Sequence, residues 1–383
     1  MNANQEKGLD MVIGRLAGWV SLAATTLLMA CGSDDAATDA AQGGELVITA
    51  SAEGLGANGY AFPPGPGQEL AFVDGWQVRF ERILVVVGSV YLHDMPDKNP
   101  GNQGETGAEV ERRSGPWVVD LAKPGNEADK GGAGKVAIRL PIQDLKGMFD
   151  LEQRYAFGFD LTAATSNATL VNVAADDADL QTMVSKGLRV LLVGTATLKA
   201  SEAQCKASKD GYDWAAVPTP VRFRFGLSGA VSYRNCQNPD NLGEAIASEE
   251  APRGVQMLPN APTFAQITIH TDHLFWNSTS HENVPMFNQF AAHAKQQNGE
   301  WVVELDDVAS VPLSPVTSSS GAAIPWRSCV SDALYTLPTT PSEMTFDTGG
   351  QPLTNLRDFV SFNAATMGHL NADGLCYVEG VAH

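Results

Sequence analysis

Residues 76–92 read WQVRFERILVVVGSVYL. Trp76, Val78 and Phe80 alternate with polar side chains, whereas residues 85–92 form a nearly continuous apolar run that is rich in valine. Alternation with a period of two is typical of a strand with one buried face, and a short, β-branched apolar run is typical of a fully buried strand. The segment therefore predicts β-structure whose apolar side chains face a core.

The same strand patterns recur along the chain. They lie at residues 45–52, 136–140, 155–161, 188–198, 221–225 and 263–269. Gly, Pro, Asn and Asp separate them, which favours antiparallel pairing. The predicted fold is mainly β, an antiparallel β-sandwich with a few helices. The predicted helices cover residues 178–186, 284–294 and 354–370, so the second half is predicted to be mixed α/β.

The amino terminus carries an export pattern. An apolar stretch, residues 16–30, follows Lys7 and Arg15 and ends at Cys31. It is shorter than the roughly 20 apolar residues that span a bilayer, and it fits a secretory signal. Residues 28–31, Leu-Met-Ala-Cys, resemble the bacterial lipobox. The resemblance implies cleavage before Cys31, a diacylglyceryl thioether on its sulfur and acylation of the new amino terminus. The alternative is a secreted soluble protein with a cysteine at the cleavage point.

Four segments follow from these patterns. They are a signal peptide at 1–30, the acylated cysteine with a flexible tether at 31–44, a β-sandwich body at 45–245, and a mixed α/β part at 255–383. The residue after Cys31 is Gly32 rather than aspartate. By analogy with the sorting rule of enteric bacteria, this predicts a lipid-anchored cell-envelope protein of the outer membrane. The predicted membrane contact is the lipid on Cys31.

The charge of the chain limits its partners. The formal net charge is -19, with 44% hydrophobic and 18% charged residues. Nucleic-acid affinity comes largely from neutralising phosphates with basic side chains, so this composition argues against nucleic-acid binding. The apolar content is sufficient for a folded core. The sequence does not identify a small ligand or an envelope partner.

Cys31 apart, four cysteines remain, at positions 205, 236, 329 and 376. An even number in an exported chain predicts two disulfides, and four cysteines allow three pairings. Order along the chain favours Cys205–Cys236 and Cys329–Cys376. No C-x-x-C is present, so neither a thioredoxin-like redox pair nor a zinc ribbon is indicated.

The densest group of potential metal ligands is His270-Thr271-Asp272-His273. If the strand before it continued, His270 and His273 would face opposite sides, whereas a turn at Thr271 would let them converge. Imidazole and carboxylate suit zinc and copper, and His369 is the best candidate for a further ligand. The predicted site is therefore His270, Asp272, His273 and His369, holding copper or zinc. The alternative is that these histidines bond to backbone groups or to each other.

Several segments of the chain resemble a group of uncharacterised predicted lipoproteins of myxobacteria and related deltaproteobacteria. They are residues 72–76 (FVDGW), 155–160 (YAFGFD), 267–275 with the H-x-D-H, and Gly368-His369 before Cys376. The resemblance covers most of the mature chain and implies no established activity. Members of the group often carry an acidic calcium-type loop after the H-x-D-H. Residues 294–300, AKQQNGE, lack most of the oxygen ligands of such a loop, so no calcium site is predicted.

Catalytic patterns are mostly absent, which favours a binding protein over an enzyme. No G-x-S-x-G or P-loop occurs, and residues 281–285, HENVP, begin like H-E-x-x-H but end in proline. Two alternatives remain. One is a metal-free envelope binding or adhesion module that uses long loops or an aromatic groove lined by Trp214, Trp276, Trp301 and Trp326. The other is a metal-dependent hydrolase, which needs an open coordination position and a nearby base.

Overall fold

The computed structural model describes most of the chain from residue 42 onward. The described residues are 42–65, 70–131, 134–143, 145–241, 251–279 and 283–379. Cys31 and the predicted signal peptide lie outside them, so the lipid anchor remains a prediction. Within the described ranges, no helix is both long and apolar enough to cross a membrane.

Most regular elements of the described chain are strands. They are β1 (Gln42–Ser51), β2 (Trp76–His93), β3 (Glu109–Asp120), β4 (Ile138–Arg139), β5 (Lys146–Asp150), β6 (Arg154–Leu161), β7 (Thr169–Leu170), β8 (Leu188–Leu198), β9 (Lys206–Ala207), β10 (Val221–Ser228), β11 (Val231–Arg234), β12 (Val255–Gln256), β13 (Pro262–Ile269), β14 (Lys295–Gln297), β15 (Glu300–Glu304), β16 (Arg327–Ser328), β17 (Gly368–Leu370) and β18 (Tyr377–Glu379). The helices are α1 (Glu53–Asn58), α2 (Ala178–Lys186), α3 (Asn288–Ala291) and α4 (Leu356–Asn363). Single 3-10 turns cover Glu202–Gln204, Trp214–Ala216, Thr271–Phe275, Leu305–Val308 and Ala364–Thr366.

Two large sheets enclose the core. The smaller has the order β17-β13-β1-β4, with β5 also on β1, and the larger runs β14-β15-β10-β8-β2-β6-β11-β18 and curls into a half-barrel. Ile48 and Ile267 from the smaller sheet and Val85 and Phe223 from the larger are buried in one continuous hydrophobic cluster. The prediction of a mainly β, sandwich-like fold is confirmed.

Residues 76–92 lie in the longest strand of the described chain, β2, which runs from Trp76 to His93. β2 pairs with β8 along its first part, and with β3 and β6 further along. Val78, Ile83 and Val87 have no exposed surface. Successive side chains of the valine run point to opposite faces of the sheet, and both faces are covered. The main core covers one face, and the cluster formed where α2 packs against β8 covers the other. The run is therefore apolar throughout.

The sheets are mixed rather than purely antiparallel. β1–β13, β10–β15 and β3–β7 are parallel pairs. Parallel strands need a long crossover connection, so their pairing leaves no local turn signal in the sequence. The predicted parts at 45–245 and 255–383 contribute strands to the same two sheets, and residues 40–383 form one compact unit.

Three predicted boundaries are wrong. The tether predicted for residues 31–44 overlaps β1, because Gln42 and Gly43 already pair with β5. Of the helix predicted at 284–294, only α3 is helical, and the helix predicted at 354–370 is α4 followed by a 3-10 turn and then β17. Helix α2 matches its prediction, with Gly187 closing it in the left-handed conformation.

The four cysteines form two disulfides, as predicted, but the predicted pairing is wrong. The bonds are Cys205–Cys329 and Cys236–Cys376. Lys206 is the register partner of Ser328 in the β9–β16 pair, which places the preceding Cys205 opposite the following Cys329. The second bond lies at the end of the β11–β18 pair, where Arg234 is opposite Tyr377, the residue that follows Cys376. Sheet register, rather than proximity along the chain, therefore decides the pairing.

Candidate metal centre

His270 and His273 converge because the chain turns at Thr271. Strand β13 ends at Ile269, and the 3-10 turn Thr271–Phe275 follows His270 directly. Side chains three residues apart lie over each other in a 3-10 turn. The ring centroids of His270 and His273 are 5.7 Å apart, with the rings nearly perpendicular. The sequence allowed either a continued strand or a turn at Thr271, and the structure contains the turn.

His369 joins them from β17, an antiparallel neighbour of β13. His369 is the register partner of Thr268, which faces the same side of the strand as His270. The rings of His270 and His369 stack with centroids 4.1 Å apart, and His273 meets His369 edge-on at 5.4 Å. His369 was predicted to lie at the end of a helix, but it lies in strand β17. The pairing of β17 with β13 aligns the ring of His369 with that of His270.

The close approach of β17 to the core requires a glycine before His369. A Cβ on Gly368 would lie 2.5 Å from a ring carbon of Tyr233 and 2.9 Å from one of Phe159. We expect Gly368→Ala to lower the free energy of unfolding by about 1–3 kcal/mol, because added volume in a packed core forces displacement. Urea denaturation measures this. Gly101→Ala is the control, since its Cβ would make only an ordinary contact with Asn99. Equal stability of both variants would contradict the packing argument.

Two carboxylates complete the group, and neither was predicted from the sequence. β1 runs parallel to β13 with Ser51 opposite Thr268, so the chain two residues further on brings Glu53 to His270. Glu53 Oε1 lies 3.6 Å from His270 Nε2, and Asp373 Oδ1 lies 4.0 Å from the same nitrogen. Glu53 is largely buried, whereas the Asp373 side chain is 80% exposed. The pairing joins residues that are far apart in the sequence, so no local motif indicates it.

Asp272 does not join the histidines as a ligand. The structure places its buried carboxylate between two donors, with Trp276 Nε1 at 2.9 Å from Oδ2 and the Tyr60 hydroxyl at 3.4 Å from Oδ1. Burial raises the pKa of Asp272, and the nearby His270 opposes this shift. Asp272 therefore orients the aromatic wall of the site, where the Trp276 indole lies over His273 at a centroid distance of 3.7 Å.

The tautomer of His273 follows from its neighbours. The Thr366 hydroxyl donates to the carbonyl oxygen of Asn363 at 2.8 Å, and it lies 2.9 Å from His273 Nδ1. A hydroxyl has one proton, so Thr366 accepts the second hydrogen bond and Nδ1 carries the hydrogen. In this tautomer of neutral His273, Nε2 is the nitrogen that bears the lone pair. A hydrogen bond that fixes the other ring nitrogen is the usual support of a metal-ligating histidine.

Electrostatics favour a positive charge at this position. Burial lowers the pKa of His270, but Glu53, Asp272 and Asp373 together outweigh it and raise that pKa to about 9. The unliganded protein therefore holds a proton on His270 at neutral pH. A divalent cation among the same carboxylates replaces that proton and carries one more positive charge.

The spacing of the donor atoms fits a small metal ion. One nitrogen from each of the three histidines lies within 4.8 Å of the others, and Glu53, His270 and Asp373 form an overlapping group of the same size. Two ligand atoms about 2.1 Å from a tetrahedral zinc ion are separated by about 3.4 Å, close to the distance between Glu53 and His270. A metal lies in the plane of each imidazole that binds it, so one of the stacked rings of His270 and His369 rotates when both bind.

The two further histidines in the described residues, His93 and His293, lie outside this group. His93 bonds the Thr106 hydroxyl at 2.9 Å, and His293 bonds the carbonyl oxygen of Thr317 at 2.6 Å. His281 is not among the described residues. A half-open cavity of about 400 Å³ reaches the centre at Thr366 and His369, while both ring nitrogens of His369 are covered.

Fold and site together define a mainly β, disulfide-linked protein with a buried three-histidine group. No family model matches the chain, and neither a curated protein nor a solved structure matches it. The geometry therefore stands alone as the basis for a function.

Proposed function

We propose that this chain is an exported cell-envelope lipoprotein, anchored through Cys31, that binds one zinc or copper ion. The ligands are His270, His273 and His369, with Glu53 as the fourth. The observation that carries the metal site is the convergence of three imidazole nitrogens within 4.8 Å. Three residues from two separate strands and a turn meet there, in a polar pocket enclosed by the core.

Four side-chain ligands complete a tetrahedral shell, which is the pattern of structural zinc sites. A hydrolytic centre instead keeps one position for water and needs a base beside it. Of the two further carboxylates near these ligands, Asp272 is held by Trp276 and Tyr60, and Asp373 lies 4.0 Å from His270 Nε2. The arrangement therefore favours metal binding over metal-dependent hydrolysis, and metal loading stabilises the folded chain by mass action.

The lipid anchor and the envelope location have separate support. The export pattern that ends at Cys31 predicts them, and two disulfides are typical of oxidising compartments. Mass spectrometry of the amino terminus from the native host tests the anchor. An unmodified Cys31 or an intact signal would contradict it without affecting the metal site.

Metal binding is expected to depend steeply on pH. Because the pKa of His270 is about 9, binding at lower pH displaces one proton, and the apparent affinity falls about tenfold for each pH unit below that value. Because half of His270 is still protonated at pH 9, zinc affinity at pH 7 is then about 50-fold weaker than at pH 9. Competition with a chelator of known affinity measures this on the full chain.

Calorimetry in buffers of different ionisation enthalpy provides the control for this titration. It should show about one proton released per metal at pH 7.5. Two outcomes contradict the proposal. One is the absence of a one-to-one complex with either zinc or copper, and the other is an affinity that stays constant between pH 7 and pH 9.

A further inference from the structure

A second cavity lies outside the metal centre. It encloses about 610 Å³, is half open to solvent, and is lined by residues of the 209–218 loop, the 318–325 segment, Trp301 and Glu343. Its volume lies in the usual range for small-molecule sites. None of the metal ligands lines it.

Two half-buried aromatic rings form part of its wall. Trp301 lies on β15, in the edge region of the larger sheet, and Tyr212 packs against Trp214 with ring centroids 4.6 Å apart. The sequence suggested four tryptophans for an aromatic groove, and Trp301 is the one that lines this cavity. Trp276 belongs to the metal centre and Trp326 is buried, while Trp214 lies beneath the guanidinium of Arg327.

Hydroxyl groups accompany the aromatic rings. The Tyr212 hydroxyl lies near Ser318, whose own hydroxyl lies 2.9 Å from that of Ser320. All three side chains line the cavity. Hydroxyls can both donate and accept, so this row suits a ligand that presents hydroxyls of its own.

The charges of the cavity exclude anionic ligands. Its charged lining residues are three carboxylates, Asp210, Asp213 and Glu343, and one ammonium, Lys209. Lys209 is paired with Glu343, so no unpaired cation remains among the lining residues. Carboxylates are strong acceptors for hydroxyl donors, and they repel phosphate or uronate groups.

The cavity is also held in shape before any ligand binds. Ser208 donates its backbone N–H to the carbonyl oxygen of Trp326 and its hydroxyl to that of Ser342. The Cys205–Cys329 bond fixes the same pair of segments, and Ser319 is tied to Ala292 through the backbone. A preformed wall lowers the ordering cost of binding.

We infer that this cavity binds a neutral carbohydrate, with Trp301 and Tyr212 stacking on a sugar ring and the serines and carboxylates bonding its hydroxyls. Aromatic faces pack on the apolar C–H face of a sugar, while its hydroxyls need both donors and acceptors. A peptide is less suited, because its carboxylate would find no unpaired cation among these lining residues. The inference does not depend on the metal centre.

The test is calorimetric titration of the full chain with neutral hexasaccharides of N-acetylglucosamine, glucose, xylose and mannose. A galacturonate hexamer and a proline decamer serve as comparison ligands. We expect at least one neutral hexasaccharide to bind, and Trp301→Ala to weaken it about tenfold or more. Tyr377→Ala is the control, because this half-buried aromatic residue lines the other cavity. A cooperative urea unfolding transition of Trp301→Ala verifies that the variant folds.

Three results would overturn the inference. They are the absence of binding by all four neutral hexasaccharides, unchanged binding in Trp301→Ala, and binding of only the galacturonate or the proline peptide. Each leaves the metal titration unaffected, so failure here is distinguishable from failure of the metal site.

Discussion

Replacing His273 with alanine is expected to abolish stoichiometric binding of zinc or copper. His273 is 2% exposed, its Nδ1 is held by Thr366, and its ring belongs to the three-histidine group whose donor atoms lie within 4.8 Å of one another. Loss of a supporting residue alone typically costs 10–100-fold in metal affinity, so loss of a ligand should cost at least about 100-fold. Elemental analysis after gel filtration and chelator competition measure the effect.

His293→Ala is the matched control for this substitution. His293 is also a buried histidine, 9% exposed, but it bonds the carbonyl oxygen of Thr317 outside the metal centre. Its loss should lower stability without changing metal content. Because alanine at position 273 leaves a gap beside Trp276, His273→Gln repeats the test with the volume largely retained. Full metal content in both His273 variants would remove this residue from the site.

Glu53 distinguishes a four-ligand site from a three-histidine one. Glu53→Gln keeps the size of the side chain, but it removes the charge that raises the pKa of His270. If Glu53 binds the metal, the variant has lower affinity even at about pH 10, one unit above the pKa of His270, where this residue is largely neutral in either protein. If Glu53 acts only on His270, the affinities of the two proteins converge there.

The sequence indicated the part of the site that is local. His270 and His273 stand three residues apart after a strand, and one turn between them is enough to bring their rings together. That such a turn occurs could not be derived from the pattern, because a continued strand satisfies the same alternation. The buried position of the following Leu274 and Phe275 is what draws the chain inward at this point.

The remaining ligands depend on strand pairing. Glu53 reaches His270 through the parallel register of β1 and β13, and His369 reaches it through β17. Hydrophobic alternation identifies a strand and its buried face, but it does not state which strand lies beside it. The mainly β class was therefore predictable from segments such as residues 76–92, whereas Glu53 was not.

The pairing of the cysteines also depends on strand pairing that the sequence does not reveal. It underlies the second prediction with a large expected effect, the loss of stability when a disulfide is removed. Cys205 and Cys329 are 124 residues apart, and Cys236 and Cys376 are 140 apart. Because loop entropy grows only with the logarithm of length, closing loops of this length contributes about 1 kcal/mol more per bond than the shorter loops that chain order favoured. The loop-entropy relation gives about 5 kcal/mol for each bond, and measured values for native disulfides are typically about 2–5 kcal/mol.

The double variant Cys236→Ser, Cys376→Ser is expected to lose about 3–5 kcal/mol of unfolding free energy in urea. It should also bind metal more weakly, because Cys376 and His369 line the same cavity wall. The matched double variant Cys205→Ser, Cys329→Ser opens a loop of similar length, but it lies beside β9 and β16, away from the histidines. It should lose similar stability and retain its metal affinity at low denaturant.

Peptide mapping of a non-reduced digest tests the connectivity on which this comparison rests. The structure requires one fragment that links Cys205 to Cys329 and another that links Cys236 to Cys376. A fragment joining Cys205 to Cys236 would contradict the register of β9 with β16, and with it the position of the cavity proposed for carbohydrate. Equal loss of metal affinity in both double variants would mean that general destabilisation, rather than the wall beside His369, controls the site.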